Sequence, residues 1–310
     1  MPIILQPLIA VGALLLLFVA PRQSHGEQQP DTAWLSQLPA WRELHFVAST
    51  LPARISVSVR VAAVADPLTV DPDLAIGCPE APPATGLMAQ TVDFVAEGPL
   101  VGDTFYAERS FFTGGTLAPY QRIRWRNDDG DRWLKSYCWQ PAGVERTRMA
   151  PAMARQGETA PVSWSRRAID LYPYPANRGD CRRVLDANLL LYFLSTRSTG
   201  APADEASLCV FGKKQLHLLT ITSRTADSVA TGQPLTISRI SVHDLPPADE
   251  KAESFSFFGL KHDLEVAIDP ATSLPLWVRG RARGLGMVTL QRTGGISWDG
   301  TPLAGPVSGS

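Results

Sequence analysis

From Arg54 the chain alternates: Ile55, Val57, Val59 and Val61 fall on one side, and Ser56, Ser58 and Arg60 on the other. A period of two marks a strand with one buried face, because successive side chains of an extended backbone point to opposite sides. Further strand-length runs follow at 88–97, 103–113, 119–126 and 132–140. Beyond residue 207 they resume at Leu208–Phe211, Gln215–Arg224, Leu235–His243, Glu253–Phe258, His262–Ile268, Leu276–Arg283 and Met287–Gln291. Turn residues separate them. Asn127-Asp128-Asp129-Gly130-Asp131 joins two runs as a hairpin, while Asp269-Pro270-Ala271-Thr272 and Gly284-Leu285-Gly286 make a meander of the last three. The 26 prolines and 24 glycines in 310 residues suit many turns and few long helices.

One segment breaks this pattern. Asp186 is placed to cap Ala187-Asn188-Leu189-Leu190-Leu191-Tyr192-Phe193-Leu194, which ends near Ser198–Gly200. The segment is apolar nearly all round, so it is expected to lie buried against a sheet. The fold class is therefore mainly β: a large curved antiparallel sheet, an open half-barrel, wrapped around one apolar helix at 186–198. Residues 66–86, with five prolines, read as a long loop, and residues 151–180 show no periodicity. The domain reading is a signal peptide at 1–26, a single β-rich domain at 27–293 and a flexible C-terminal tail at 294–310.

The signal peptide rests on the apolar run Ile3–Ala20, followed by Ser24 and Gly26 around His25, small residues of the kind that signal peptidase accepts. Cleavage is placed after Gly26 and the localisation is periplasmic. The competing reading is a retained anchor, since the run is nearly long enough to span a bilayer. Four cysteines, Cys78, Cys138, Cys181 and Cys209, suit an exported chain with two disulfides. They allow three pairings. Cys78–Cys138 with Cys181–Cys209 keeps both loops local, and four buried free thiols are the alternative. No C-x-x-C spacing supports zinc or redox chemistry.

The charges nearly cancel, with 29 Lys+Arg against 30 Asp+Glu, so there is no basic excess to neutralise nucleic-acid phosphates. An apolar fraction of 45% supplies a core and argues against disorder along the whole chain.

The segment Leu264-Glu265-Val266-Ala267-Ile268-Asp269-Pro270, followed by Ser273-Leu274-Pro275-Leu276-Trp277-Val278-Arg279-Gly280, resembles the closing hairpin of an exported protein family of unknown function. That family is itself similar to the periplasmic lipoprotein-localisation carriers. Ala118-Pro119-Tyr120-Gln121-Arg122, Trp164-Ser165-Arg166-Arg167 and Tyr172-Pro173-Tyr174-Pro175 look like features of the same family. The resemblance implies an open, unclosed barrel with a helix on its concave, apolar face. It suggests lipid carriage and brings no catalytic residues.

The sequence holds no G-x-S-x-G elbow, H-E-x-x-H, P-loop or G-x-G-x-x-G. Its histidines are His25, His45, His217, His243 and His262, and two of them form the dipeptides His243-Asp244 and His262-Asp263. Neighbours in a strand face opposite ways, so neither dipeptide can converge on one ion, and both read as strand-end polar residues. No metal site or cofactor is expected.

Two arginine triplets stand out. Arg122, Arg124 and Arg126 alternate with Ile123 and Trp125, and Arg279, Arg281 and Arg283 alternate with Gly280 and Ala282. Each projects a positive row from one side of a sheet. The functional reading is a site for an anionic group, which guanidinium forks match well. The favoured reading is a solvated outer face balanced by acidic neighbours. Trp125, Trp133, Trp139 and Trp164 cluster mid-chain, with core packing favoured over a pocket lining.

The function expected from these features is a periplasmic, non-enzymatic binding or carrier protein, monomeric, for a hydrophobic or lipid-like envelope ligand such as an acyl chain. Leu189, Leu190, Tyr192 and Phe193 are the helix residues expected nearest the ligand. The alternatives are an envelope hydrolase with a His/Asp site assembled in the fold, and a structural partner of an envelope protein complex.

Overall fold

In the computed structural model the alternation at Arg54–Val61 is one strand of a 16-stranded sheet. The structure describes residues 38–50, 53–70, 74, 76–98, 104–127, 132–152, 161–175, 181, 183–197, 205–227, 232–245 and 255–305, all within the unit Thr32–Ser310. The expected signal peptide lies outside these residues, as do residues 128–131 of the hairpin turn. No helix among the described residues is long and apolar enough to cross a membrane.

The sheet is two meanders joined at one seam. β1 (Glu43–Thr50) and β2 (Ala53–Ala63) pair as a hairpin, and a long loop with a single helical turn, α1 (Pro67–Val70), leads to β3 (Leu87–Glu97). β4 (Thr104–Thr113), β5 (Ala118–Asn127), β6 (Arg132–Gln140), β7 (Gly143–Ala150) and β8 (Arg166–Pro173) then add in turn, each antiparallel to the one before. β9 (Val184–Asp186) opens the second half, followed by a 3₁₀ turn at Ala187–Leu189 and the helix α2 (Leu190–Thr196). β10 (Ala206–Phe211) lies parallel to β9. β11 (Leu216–Asp227), β12 (Pro234–Asp244), β13 (Leu260–Asp269), β14 (Leu274–Ala282) and β15 (Gly286–Ile296) form the second meander. β15 pairs with β1, so the order runs from β8 through β1 and β15 to β9.

The end strands β8 and β9 share no ladder, which makes the sheet a large open curve, as expected. Side chains bridge the gap. Phe211 of β10 meets Tyr172 of β8 at 5.8 Å, Trp139 of β6 at 6.0 Å and Tyr137 of β6 at 6.2 Å between ring centroids.

Period-two patterning explains the core. Leu44, Phe46, Val57, Val59, Val92, Val278 and Leu290 face inward and pack on Leu189–Leu194. Every residue of α2 is buried. Asp186 caps the segment as expected, its side chain accepting from the Asn188 amide. The buried hydroxyls of Ser195 and Thr196 donate to the carbonyls of Leu191 and Tyr192 four residues back, and the Trp41 indole donates to Ser195 Oγ at 3.1 Å. Leu189, Leu190, Tyr192 and Phe193 are thus core residues, with Tyr192 wedged edge-on against Phe112 at 5.3 Å.

Several expectations need correction. The run expected as a strand through Phe258 ends instead in a two-residue turn: Phe257 and Leu260 exchange backbone hydrogen bonds of 2.8 and 2.9 Å. Phe258 (φ 50°) and Gly259 (φ 78°) both adopt the left-handed region that such a turn demands. That conformation is costly for Phe258, and burial of its ring against Phe257 (4.2 Å) and Phe46 (6.4 Å) offsets the cost. Gly259 sits so near Phe94 that a Cβ would lie 3.3 Å from the ring. Phe255, Phe257 and Phe258 therefore join α2 in filling the concave face, where the helix residues had been expected to lie nearest a ligand. The tail expected to be loose from Gly294 continues β15 to Ile296, and β16 (Pro302–Ala304) pairs with it.

The outer face of β3–β6 is also covered. Leu74 and Ile76 of the long loop pack with Phe111, Ile123, Leu134 and Trp164. Cys78–Cys138 ties this loop down, and Cys181–Cys209 ties the segment just before β9 to β10. Both disulfides follow the local pairing, and they suit a chain that folds in an oxidising, exported environment.

A charged cleft inside the barrel

The inward face of β4 and β5 carries charge within a largely apolar interior. Period two sends Tyr106, Glu108 and Ser110 inward from β4, and the register sets Glu108 opposite Arg124 and Ser110 opposite Arg122 on β5. Arg122 is the most deeply set, with 4% of its side chain exposed. It donates from Nη1 to Asp186 Oδ1 at 2.7 Å and from Nη2 to the Gly212 carbonyl at 2.5 Å. Asp186 also accepts from Ser110 Oγ at 2.6 Å, so the cap of the helix and the anchor of the arginine are one carboxylate. Arg124 Nε lies 2.8 Å from Glu108 Oε1, close enough for charge pairing although the angle is not that of a hydrogen bond. Asn188 closes the network, donating from Nδ2 to Glu108 Oε2 at 2.7 Å. The guanidiniums stack on ring faces, Arg122 on Tyr137 and Arg124 on Tyr106, both at 4.3 Å.

Tyr106, Glu108, Arg122, Arg124, Tyr137 and Asn188 line a cleft of about 220 Å³, with Ser110 and Asp186 outside the lining. Val92, Phe94 and Phe258 give it apolar walls, and Lys213 and Lys261 join Glu108, Arg122 and Arg124 in the lining. Burial alone would push the Glu108 carboxyl up. Arg124, Arg122, the Asn188 hydrogen bond and Lys213 outweigh it, so the carboxyl is held below its ordinary value. Burial works against the charge on Arg122, but Asp186, Tyr137 and Glu108 more than restore it.

The two arginine triplets separate here. Arg122 and Arg124 face the interior, against the solvated outer face favoured from sequence, and Arg126 is half-buried on the same side. The reason is that β5 is covered on both faces, since Ile123 packs under the long loop. Arg279 and Arg281 are exposed on the outer face of β14, where Arg281 pairs with Asp263 at 2.6 Å and Arg279 stands opposite Glu265, and Arg283 is exposed in the turn after the strand. Leu189, Leu190, Tyr192 and Phe193 do not line the cleft; Ala187 and Asn188, just before them, do. Among the tryptophans, Trp164 and Trp139 are buried, while Trp133 lies 5.4 Å from the Arg124 guanidinium. Sequence reasoning missed Glu108, Asp186 as an ion-pair partner, Lys213 and Lys261. The alternation Tyr106-x-Glu108-x-Ser110 one hairpin before Arg122-x-Arg124 was the available signal for the first.

His217 is the buried histidine. Its Nδ1 lies 2.8 Å from Asp244 Oδ1, while Asp263 turns to Arg281, so both dipeptide aspartates point away from their neighbouring histidines. His217 Nε2 is sealed from solvent without a hydrogen-bond partner, beside Phe255 and Gly212. A Cβ at position 212 would lie 2.8 Å from that nitrogen, so only glycine leaves room for the ring. Among the described residues, no nucleophile hydrogen-bonds to Nε2. No group of three His, Cys, Asp or Glu side chains suited to a metal ion occurs among the described residues.

Burial lowers the His217 pKa, and Asp244 reverses only part of the shift. The unfolded chain therefore takes up a proton near the ordinary value of about 6.5 while the folded chain resists it. Stability is full above that pH and declines as pH falls below it. Thermal melts from pH 7.5 to 5 should show a falling Tm, with a flatter profile in His217→Gln. Equal slopes in the two proteins would remove His217 as the cause.

Fold and cleft together define a class: a barrel-like β protein whose curved sheet encloses a helix and a small charged pocket. Among solved structures the chain is similar to a beta-barrel-like protein of a domain of unknown function, DUF1849, from Brucella abortus. That match has a TM-score of 0.41 and 5% identity, and covers 82% of this chain and 95% of the other. No protein-family model matches the sequence, and no curated protein matches it.

Proposed function

We propose that this chain is a periplasmic, non-enzymatic binding or carrier protein for a hydrophobic or lipid-like envelope ligand, exported by a leader cleaved near Gly26. The observation that carries the reading is the cleft itself, a recess with aromatic walls and fixed charges beside the packed apolar cluster around α2. Binding sites commonly combine apolar walls with a few placed polar groups in this way. Both disulfides agree with export.

The packed concave face alters the form such a ligand can take. Among the described residues α2 is buried on all sides, so a long acyl chain beside it requires the Phe257–Leu260 turn to move. The test is native mass spectrometry with lipid extraction, on the full chain purified from the periplasmic fraction without detergent. A co-purifying lipid-like molecule supports the proposal. A ligand-free protein that also fails to take up added fatty acid or phospholipid overturns it in favour of a structural role.

A further inference from the structure

Away from the cleft, on the opposite side of the sheet, we infer that the outer face of β12–β14 docks on an anionic lipid bilayer, its arginines reaching the head-group phosphates. Position is the first argument. Arg239 of β12 stands opposite Glu265 of β13, and Glu265 stands opposite Arg279 of β14, so a row across three strands reads cation, anion, cation. Arg281 lies two residues further along β14 on the same face, and Arg224 of β11 stands opposite Ile237, two residues from Arg239. With Arg283 in the following turn, all five arginines are exposed.

Charge is the second argument. Glu265 pairs with Arg239 at 3.2 Å, and Asp263 pairs with Arg281 at 2.6 Å. Asp269, at the end of β13, turns its carboxylate to the Ala271 amide and the Thr272 hydroxyl. Five arginines against these three carboxylates leave 5 − 3 = 2 positive charges among the described residues of this face. The hydrogen bond from Arg281, with the charges of Arg281, His262 and Arg239, holds the Asp263 carboxyl below its ordinary value, the mark of a positive field.

The third argument is the kind of partner that such a face suits. A tightly bound protein needs an apolar centre to pack against. Here Leu235, Ile237 and Ala267 are already buried in their own cluster. What stays available beside the arginines is Trp277, partly buried against that cluster, and Met287, 39% exposed and opposite Arg281. Tryptophan settles at the head-group level of a bilayer, and arginines near an anionic leaflet gain from its surface potential without any demand for matching shape. Each basic residue near such a leaflet strengthens adsorption about fivefold, so a surplus of two gives about 25-fold, screened by salt.

The test is co-sedimentation of the chain, purified from the periplasmic fraction, with vesicles of phosphatidylcholine alone or mixed with phosphatidylglycerol. Affinity for the mixed vesicles should be at least about tenfold higher in low salt, and high salt should remove the difference. Arg239→Gln/Arg279→Gln/Arg281→Gln takes the face from 2 to 2 − 3 = −1 and should abolish the preference. Asp263→Asn raises the surplus to 2 + 1 = 3 and should strengthen binding about fivefold. Its φ of 52° is one that Asn adopts readily, so this variant keeps the fold. Arg60→Gln, on the exposed side of β2, should bind as the parent does. Equal binding to both kinds of vesicle, or none to either, overturns the inference, and so does an Asp263→Asn variant that gains nothing. Soluble polyphosphate that binds where the mixed vesicles do not overturns the bilayer and assigns the face to a linear polyanion. None of these outcomes bears on the cleft.

Discussion

Arg122→Ala is expected to destabilise the protein by roughly 3–5 kcal/mol, the range for removing one partner of a buried ion pair. Asp186 is fully buried, and without Arg122 it would keep only the Ser110 hydroxyl and the Asn188 amide as donors. The Gly212 carbonyl would lose its donor as well. The double variant Arg122→Met/Asp186→Leu removes both charges and should recover much of the loss. Recovery should stop short by about 1 kcal/mol, because Asp186 also caps the helical segment and a lost N-cap costs about that much. Urea denaturation of the parent, the single and the double variant measures all three. A single variant within about 1 kcal/mol of the parent would show that the pair does not hold this part of the interior together.

Removing the disulfides should be nearly as damaging, and the two should fail differently. Cys78 and Cys138 are 60 residues apart, and chain entropy assigns such a loop about 4 kcal/mol; Cys181 and Cys209, 28 apart, rate about 3.5 kcal/mol. Cys78→Ser/Cys138→Ser frees the long loop from the outer cluster around Ile123 and Trp164, leaving the cleft side of β5 in place. Cys181→Ser/Cys209→Ser loosens β9, whose last residue is Asp186, and so should weaken the Arg122 network too. Thermal melts of the two double variants, and of the parent with and without reductant, test this. Parent melts that ignore reductant would contradict both assignments.

The strands that could be read in advance were those whose two faces differ. β2 shows its buried Ile55, Val57, Val59 and Val61 plainly, and the Asp269 turn and the Asp186 cap carry local chemistry that no packing is needed to recognise. β8 escaped notice within an unpatterned stretch because, as an end strand, it leaves Ile169 and Leu171 more than half exposed and shows no alternation of burial. β5 was read as a strand but turned the wrong way. Alternation says that Arg122 and Arg124 share a face, and only the long loop over Ile123 decides that their face is the inner one. The Phe258-Gly259 turn was hidden because Phe is a poor residue for that position, chosen for what its ring covers. The cleft joins side chains from β4, β5, the 3₁₀ turn and the segment after β10, a convergence that no spacing in the sequence encodes.

The seam between β1 and β15 has a consequence for the order in which the molecule is built. Thr293 donates to the His45 carbonyl across 248 residues of chain, and closing a loop of that length costs on the order of 5 kcal/mol of entropy. The meander β2–β8 and the hairpins β11–β15 need only short closures, so they can form while the chain is still arriving. β1 cannot complete its pairing until β15 has been made and delivered. Until then its outer edge is an open ladder, and the apolar side chains of both halves wait for each other. The sheet is therefore finished last at the strand that begins it, which makes the final step of folding a joining of two half-built walls around the helix.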